Sequence, residues 1–147
     1  MKVLQISTVC GSGSVGRITV DIYHTLKSCG DEGLIAYGRR QAPEGVEAFR
    51  FGSDLDMGFH VLSTFFRFAS TGQTRKLIEK IREWDPDVIH LHNIHGFILQ
   101  VEELFSYLKQ AGKPVVWTLH DCWPYTGHCA FYDYTGCDQW KTGCKHC

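Results

Sequence analysis

The chain has 147 residues, with 15 basic against 16 acidic side chains and a formal net charge of −1. This is one domain's worth of sequence, and 44% hydrophobic residues with 13% aromatics provide for a core and exclude wholesale disorder. The balance lacks the basic excess of a dedicated nucleic-acid binder, no apolar run nears the roughly 18 residues of a spanning helix, and the run at 3–6 is too short for a secretion signal. A cytoplasmic α/β domain is expected.

In chain order, Val3-Leu4-Gln5-Ile6 suits a buried parallel strand. A glycine-rich break from Gly11 to Gly16 follows. Ile18, Ile22 and Leu26 then recur at helical spacing, flanked by Val20 and Tyr23, and Gly30 is a helix stop. Residues 34–37 form a second strand ended by Gly38, and residues 47–51 a third after the Pro43-Glu44-Gly45 turn. Helices are expected over 56–69 and 74–84, the latter ended by Pro86. The first of these carries Phe59, Phe65, Phe66 and Phe68 near Arg67, with Arg75, Lys76, Lys80 and Arg82 soon after. Core packing explains these aromatics most simply, while a membrane-surface helix is the alternative. Residues 87–92 form a strand, 99–111 an amphipathic helix stopped by Gly112, and 114–119 the last strand. Residues 120–147 read as an irregular, cysteine-studded loop. Strands alternating with helices imply a parallel sheet with right-handed crossovers.

Gly11-Ser12-Gly13-Ser14-Val15-Gly16, followed by Arg17, satisfies G-x-G-x-x-G, and such turns let backbone amides approach an anion at a helix N-terminus. A dinucleotide site for NAD wants an acidic residue ending the second strand, where this chain has Gly38-Arg39-Arg40. Thr8-Val9-Cys10 also separates the first strand from the first glycine. Arginines there suit a 2′-phosphate, so an NADP module stays open beside anion or sugar contact and a merely tight turn.

His90, His92 and His95 form H-x-H-x-x-H. The hydrolytic metal pattern fails because Ile94 stands where its aspartate belongs. Strand alternation puts His90 and His92 on one face, and His92 with Asn93, at the strand's carboxyl end, is placed to face a ligand. His120-Asp121 repeats this at the end of the last strand, where the pair is able to bond sugar hydroxyls or transfer a proton. Of seven cysteines, five lie in the last 26 residues. Cys129, Cys137, Cys144 and Cys147 are spaced to enclose a tetrahedral structural zinc, with free thiols the plainer reading.

Together the pieces resemble the N-terminal half of a family 4 glycosyltransferase of the two-Rossmann-domain (GT-B) type. The matching segments are Met1-Lys2-Val3-Leu4-Gln5-Ile6 with the turn through Gly16-Arg17, then Pro86-Asp87-Val88-Ile89-His90-Leu91-His92-Asn93, then Val115-Val116-Trp117-Thr118-Leu119-His120-Asp121-Cys122-Trp123. The cysteine tail looks like that of a subset building bacterial surface polysaccharides. The resemblance implies a Rossmann-like parallel sheet flanked by helices over 1–121, with a Cys-rich loop of the same domain over 122–147.

It further implies a hexosyltransferase-type activity, the retaining transfer of a sugar from a nucleotide-sugar donor to a hydroxyl of a glycan or lipid-linked acceptor at the cytoplasmic face of the inner membrane. Gly13, Gly16 and Arg17 would line the cleft near the donor phosphates or the acceptor. His120 would contact the transferred sugar, with Asp121, His92 and Asn93 in support. No catalytic cofactor is implied, and any zinc would be structural. The second Rossmann domain, which in this family binds most of the nucleotide sugar, has no counterpart in the sequence, so the chain alone is expected to be inactive. The alternatives are an NADP-binding oxidoreductase fragment and a non-enzymatic, zinc-stabilised glycan- or partner-binding module.

Overall fold

The computed structural model describes residues 1–52, 71–96, 98–126 and 129–143. Five strands, β1 (Lys2–Val9), β2 (Glu32–Arg39), β3 (Ala48–Arg50), β4 (Val88–Leu91) and β5 (Val115–Trp117), form one sheet in the order β3-β2-β1-β4-β5. Every pairing is parallel. The chain builds outward from β1 through β2 to β3, then crosses back to lay β4 on the other side of β1. The order therefore reverses between β1 and β4, which is where open α/β sheets place ligands, beyond the carboxyl ends of the strands.

Alternation along β1 divides the molecule into two unlike layers. Leu4 and Ile6 point into the larger core with Leu34, Ala36, Ile89 and Leu91. The helices α2 (Thr71–Trp84) and α3 (Val101–Ala111) close that face with Leu77, Ile81, Leu104 and Leu108. The opposite face carries Ile35 and Tyr37 beneath α1 (Gly13–Ser28), whose Tyr23 completes a smaller cluster with Cys10. Beside that cluster, the same face buries two polar side chains, Gln5 of β1 and His92 directly after β4, at 0% and 1% exposure. The functional geometry grows from this polar seam.

Several boundaries differ from the sequence expectation. β1 continues past Ile6 to Val9, because Ser7 and Val9 stay in register with Tyr37 and Arg39 of β2. The polar residues do not end the strand, and only Cys10 separates it from Gly11. That removes the spacing argument against a phosphate-type turn. On α1 the buried positions are Gly16, Thr19 and Tyr23, whereas Ile18 is 40% exposed. Small residues let the helix lie close to β1, so proximity rather than apolar bulk selects its inner face. Both glycine stops hold, with Gly30 at φ 80 and Gly112 at φ 64. The helix expected over 56–69 falls outside the described residues. The tail after β5 is less irregular than expected. A short helix, α4 (Trp123–Thr126), and two 3-10 turns pack Tyr125, Tyr132 and Trp140 with ring centroids 5.2 to 6.0 Å apart.

Candidate functional site

At the reversal point a cavity of about 280 Å³ is lined by Thr8 and Val9 from the end of β1, Ser12 to Val15 at the start of α1, Arg39 ending β2, and Asn93, His95 and Gly96 after β4. Its floor is the glycine turn. Gly11 and Gly13 adopt φ of 72° and 68°, a region that side chains with a Cβ resist. A Cβ on Gly16 would lie 3.0 Å from the Gly11 nitrogen, and that nitrogen donates to the Gly16 carbonyl at 2.9 Å. The turn is thus drawn tight against the helix start. No acidic side chain occupies the first turn of α1 and Ser12 makes no side-chain cap bond, so the unpaired N–H groups there favour an anion or a hydroxyl oxygen.

The rim is held by side chains bonded to backbone. Thr8 Oγ1 donates to the Asn93 carbonyl at 2.8 Å, coupling β1 to the loop after β4. The Arg39 guanidinium donates to the Gly96 carbonyl, and Arg40 Nη1 donates to Ser12 Oγ at 2.8 Å. Both arginines therefore act as latches across the turn. Arg17 folds back, its Nε reaching the carbonyl of Gly13 at 3.3 Å, and it does not line the cavity.

A set of histidines stands beside the cavity. His90 and His92 share a face, as strand alternation requires, with ring centroids 4.2 Å apart, and His90 Nε2 lies 2.8 Å from Thr118 Oγ1. His92 Nδ1 sits 2.9 Å from His120 Nε2, and its Nε2 3.1 Å from Gln5 Oε1. Trp117 Nε1 donates to the His92 carbonyl, locking the strand end to β5. Burial, reinforced by the neighbouring His90 and His120, pushes the His92 pKa down to about 3, so this imidazole is neutral at ordinary pH. Burial likewise lowers His90, with His120 adding to the effect. In parallel, His95 Nε2 meets Asp121 Oδ2 at 2.7 Å, and Asp121 Oδ1 accepts from the Trp123 backbone nitrogen at 3.0 Å.

Of the residues singled out from sequence, Gly13 and Asn93 line the cavity, and Gly16 lies beneath the turn. His120 and Asp121 both reach back to the β4 loop, through His92 and His95 respectively. His92 is buried behind His120 and does not line the cavity. Cys129 and Cys137 are half-buried in the tail, while Cys144 and Cys147 fall outside the described residues. Among the described residues no three potential ligands gather as a metal site. Sequence reasoning passed over Thr8, Ser12 and Gln5. Gln5 carried a usable signal, a lone amide inside an otherwise apolar buried strand. His95 was visible in the triple-histidine pattern, but nothing in that spacing linked it to Asp121.

The sequence profile of glycosyltransferase family 4 matches residues 15–142. The chain is 29% identical over 161 aligned residues to a protein of Escherichia coli (strain K12) that carries the name colanic acid biosynthesis glycosyl transferase WcaC; the match covers 100% of this chain and 39% of that protein. Among solved structures, SsfS6, a glycosyltransferase of Streptomyces sp. SF2575, superposes with a TM-score of 0.50 at 14% identity, over 81% of this chain and 39% of that one. The chain thus spans well under half the length of these relatives.

Proposed function

Because this chain belongs to glycosyltransferase family 4, we propose that it forms the acceptor-side half of a site that moves a hexose from a nucleotide-sugar donor to a hydroxyl, with retention, during synthesis of a bacterial surface polysaccharide. The observation that carries this reading is the placement of His120. It stands at the carboxyl edge of the sheet, backed by buried His92 at 2.9 Å; it does not itself line the cavity floored by the glycine turn, whose wall on this side is Asn93 and His95. In that arrangement the turn takes a phosphate or hydroxyl oxygen of a bound ligand, and His120 takes a hydroxyl of the transferred sugar. Asp121 fixes His95 on the cavity wall. The acceptor would be a glycan or lipid-linked saccharide, consistent with the name borne by the Escherichia coli relative.

No helix among the described residues is long and apolar enough to cross a membrane. The reading takes contact with a lipid-linked acceptor to be peripheral, at the cytoplasmic face of the inner membrane. No catalytic metal or redox cofactor enters this reading. A zinc held by Cys129, Cys137, Cys144 and Cys147 would serve only to order the tail. The NADP alternative draws no support from the arginines, since Arg39 and Arg40 are turned onto Gly96 and Ser12.

The test is a transfer assay on this chain paired with a nucleotide-sugar-binding domain of the same family, with a panel of uridine and guanosine diphosphate sugars and a lipid-linked saccharide. Transfer that falls at least a hundredfold in His120→Ala, a loss on the scale of one removed transition-state contact, is the expected result. Undiminished transfer in that variant would remove His120 from the site.

A further inference from the structure

We propose that Gln5, buried in the middle of β1, is a positioning residue that sets the tautomer of His120 through His92. The inference rests on the reading of His120 as the group that meets the sugar. It concerns which of the two ring nitrogens of His120 offers a lone pair there.

The carbonyl of Thr19 on α1 only accepts, so the Gln5 nitrogen, 3.0 Å away, must be the amide end turned toward it. The amide oxygen of Gln5 then faces His92 Nε2 at 3.1 Å, and an amide oxygen only accepts, so His92 carries its proton on Nε2. A neutral imidazole has one donor and one acceptor, and burial keeps His92 neutral. His92 Nδ1 is therefore a lone pair, and His120 Nε2, 2.9 Å from it, is the donor. The two ring centroids are 5.2 Å apart and the planes differ by 22°. That separation fits rings meeting edge to edge through the bonded nitrogens, which directs the N–H along the acceptor lone pair. With its proton held on Nε2, neutral His120 has an acceptor at Nδ1, and no described residue bonds to that atom.

The consequence is chemical. A sugar hydroxyl meeting Nδ1 would act as donor, and a proton would move onto His120 rather than off it. Gln5 also ties this choice to the helix whose first turn floors the cavity, because its anchor is a backbone carbonyl of α1. Replacing Gln5 by an apolar side chain leaves His92 indifferent between its two nitrogens. Each tautomer then exposes one unpartnered polar atom to the same apolar neighbour.

The test is nitrogen-15 NMR on the imidazole-labelled 147-residue chain at pH 8, where unperturbed histidines are neutral. Two-bond proton–nitrogen correlations identify the protonated nitrogen, and a nitrogen–nitrogen coupling across the bond identifies the His120–His92 contact. In the native chain both rings are expected as the Nε2–H form, with the coupling present. In Gln5→Leu the His120 signal should become a mixture of both tautomers, with the coupling retained because either tautomer keeps one proton between His92 Nδ1 and His120 Nε2. A native His120 or His92 protonated on Nδ1 overturns the proposal, as does a Gln5→Leu spectrum with the His120 tautomer unchanged. Should Gln5→Leu fail to fold, the native spectrum still decides the direction of the chain. These readouts need no turnover. A supported relay beside undiminished transfer in His120→Ala would leave the relay standing and sink the sugar-contact reading, and the converse pair would do the reverse.

Discussion

Asp121 holds Oδ2 2.7 Å from Nε2 of His95, and this contact joins the loop after β5 to the loop after β4. The carboxylate is only 7% exposed and also accepts from the Trp123 backbone nitrogen, so it serves two donors from a nearly dry position. Asp121→Ala strands the Trp123 nitrogen, while His95, 27% exposed on the cavity wall, turns to water, so the cost sits at the low end of the about 1–3 kcal/mol of an unpaired buried donor. A loss of about 1 kcal/mol in unfolding free energy by urea titration is expected, with Asp121→Asn recovering part of it because one oxygen remains for the Trp123 nitrogen. Equal stability in all three chains would mean that solvent replaces the contact.

The glycine turn makes a graded prediction. Gly11 combines a φ of 72° with a Cβ position 2.6 Å from Pro43 Cγ, whereas Gly16 has an ordinary φ but a Cβ position 3.0 Å from the Gly11 nitrogen. Gly13 has a φ of 68° and open space. Alanine at 13 should therefore cost only the left-handed backbone penalty, about 1–2 kcal/mol. At 16 it should cost about 1–3 kcal/mol from overpacking, and at 11 both terms together. Denaturant midpoints for the three variants check the order, and Gly13→Ala as the most damaging would contradict it.

Acid should weaken the fold through His92. Its pKa is depressed to about 3 by burial, against an unfolded value near 6.5, so between these two the unfolded chain binds the extra proton. Stability then rises with pH across that window and falls as pH drops below about 6.5, with a slope approaching roughly 1.4 kcal/mol per pH unit from this group. His90, lowered in the same direction, adds to the slope. Unfolding free energies measured from pH 7 down to pH 4 should show the decline, and His92→Gln, which cannot titrate, should flatten it. An unchanged slope in that variant would assign the effect to other groups.

The alternation of apolar strands with helical spacing was enough to read the parallel sheet, because burial on both faces leaves Leu34 to Tyr37 as an apolar run that water would not tolerate exposed. The ends of elements were harder to read. Whether Ser7 and Thr8 continue β1 depends on a partner strand some thirty residues away, information that local composition does not carry. The inner face of α1 was misplaced for a similar reason. Ile18 looks like a core residue by hydrophobicity, but the helix approaches β1 through Gly16 and Thr19, where closeness matters more than bulk. Within the site, His92, Asn93, His120 and Asp121 stood out because they follow strands at the sheet's carboxyl edge. Their pairing was not legible, since His92 with His120 and His95 with Asp121 are contacts between segments 26 and 28 residues apart.

The tail offers a metal prediction. Tyr125, Tyr132 and Trp140 give it a small aromatic cluster, but the five strands close their core without it. If Cys129, Cys137, Cys144 and Cys147 share a tetrahedral zinc, the purified chain should carry about one zinc per molecule by elemental analysis, and Cys129→Ser should lose it. Chelation should then increase proteolytic cutting after residue 122 while leaving the cooperative unfolding of the sheet in place, because metal binding folds only the segment it closes. A metal-free chain with an equally protected tail would leave the aromatic cluster as the organiser.

The 147-residue chain by itself should show no measurable sugar transfer. Departure of a nucleoside diphosphate develops negative charge that must be met by preorganised cations or donors, and Arg39 is the sole cationic side chain lining the cavity among the described residues. Its guanidinium already donates to the Gly96 carbonyl, and Arg17 is turned back onto Gly13. The helix amides can bind a phosphate, yet partial charges at one helix end, equivalent to about half a unit charge, cannot balance a departing diphosphate. Side by side, the chain alone should bind a sugar nucleotide weakly without consuming it, while the same chain joined to a second, nucleotide-sugar-binding domain of the family should turn it over. Product formation by the chain alone at a comparable rate would show that the charge is met within these residues, and the search for the stabilising group would return to this cavity.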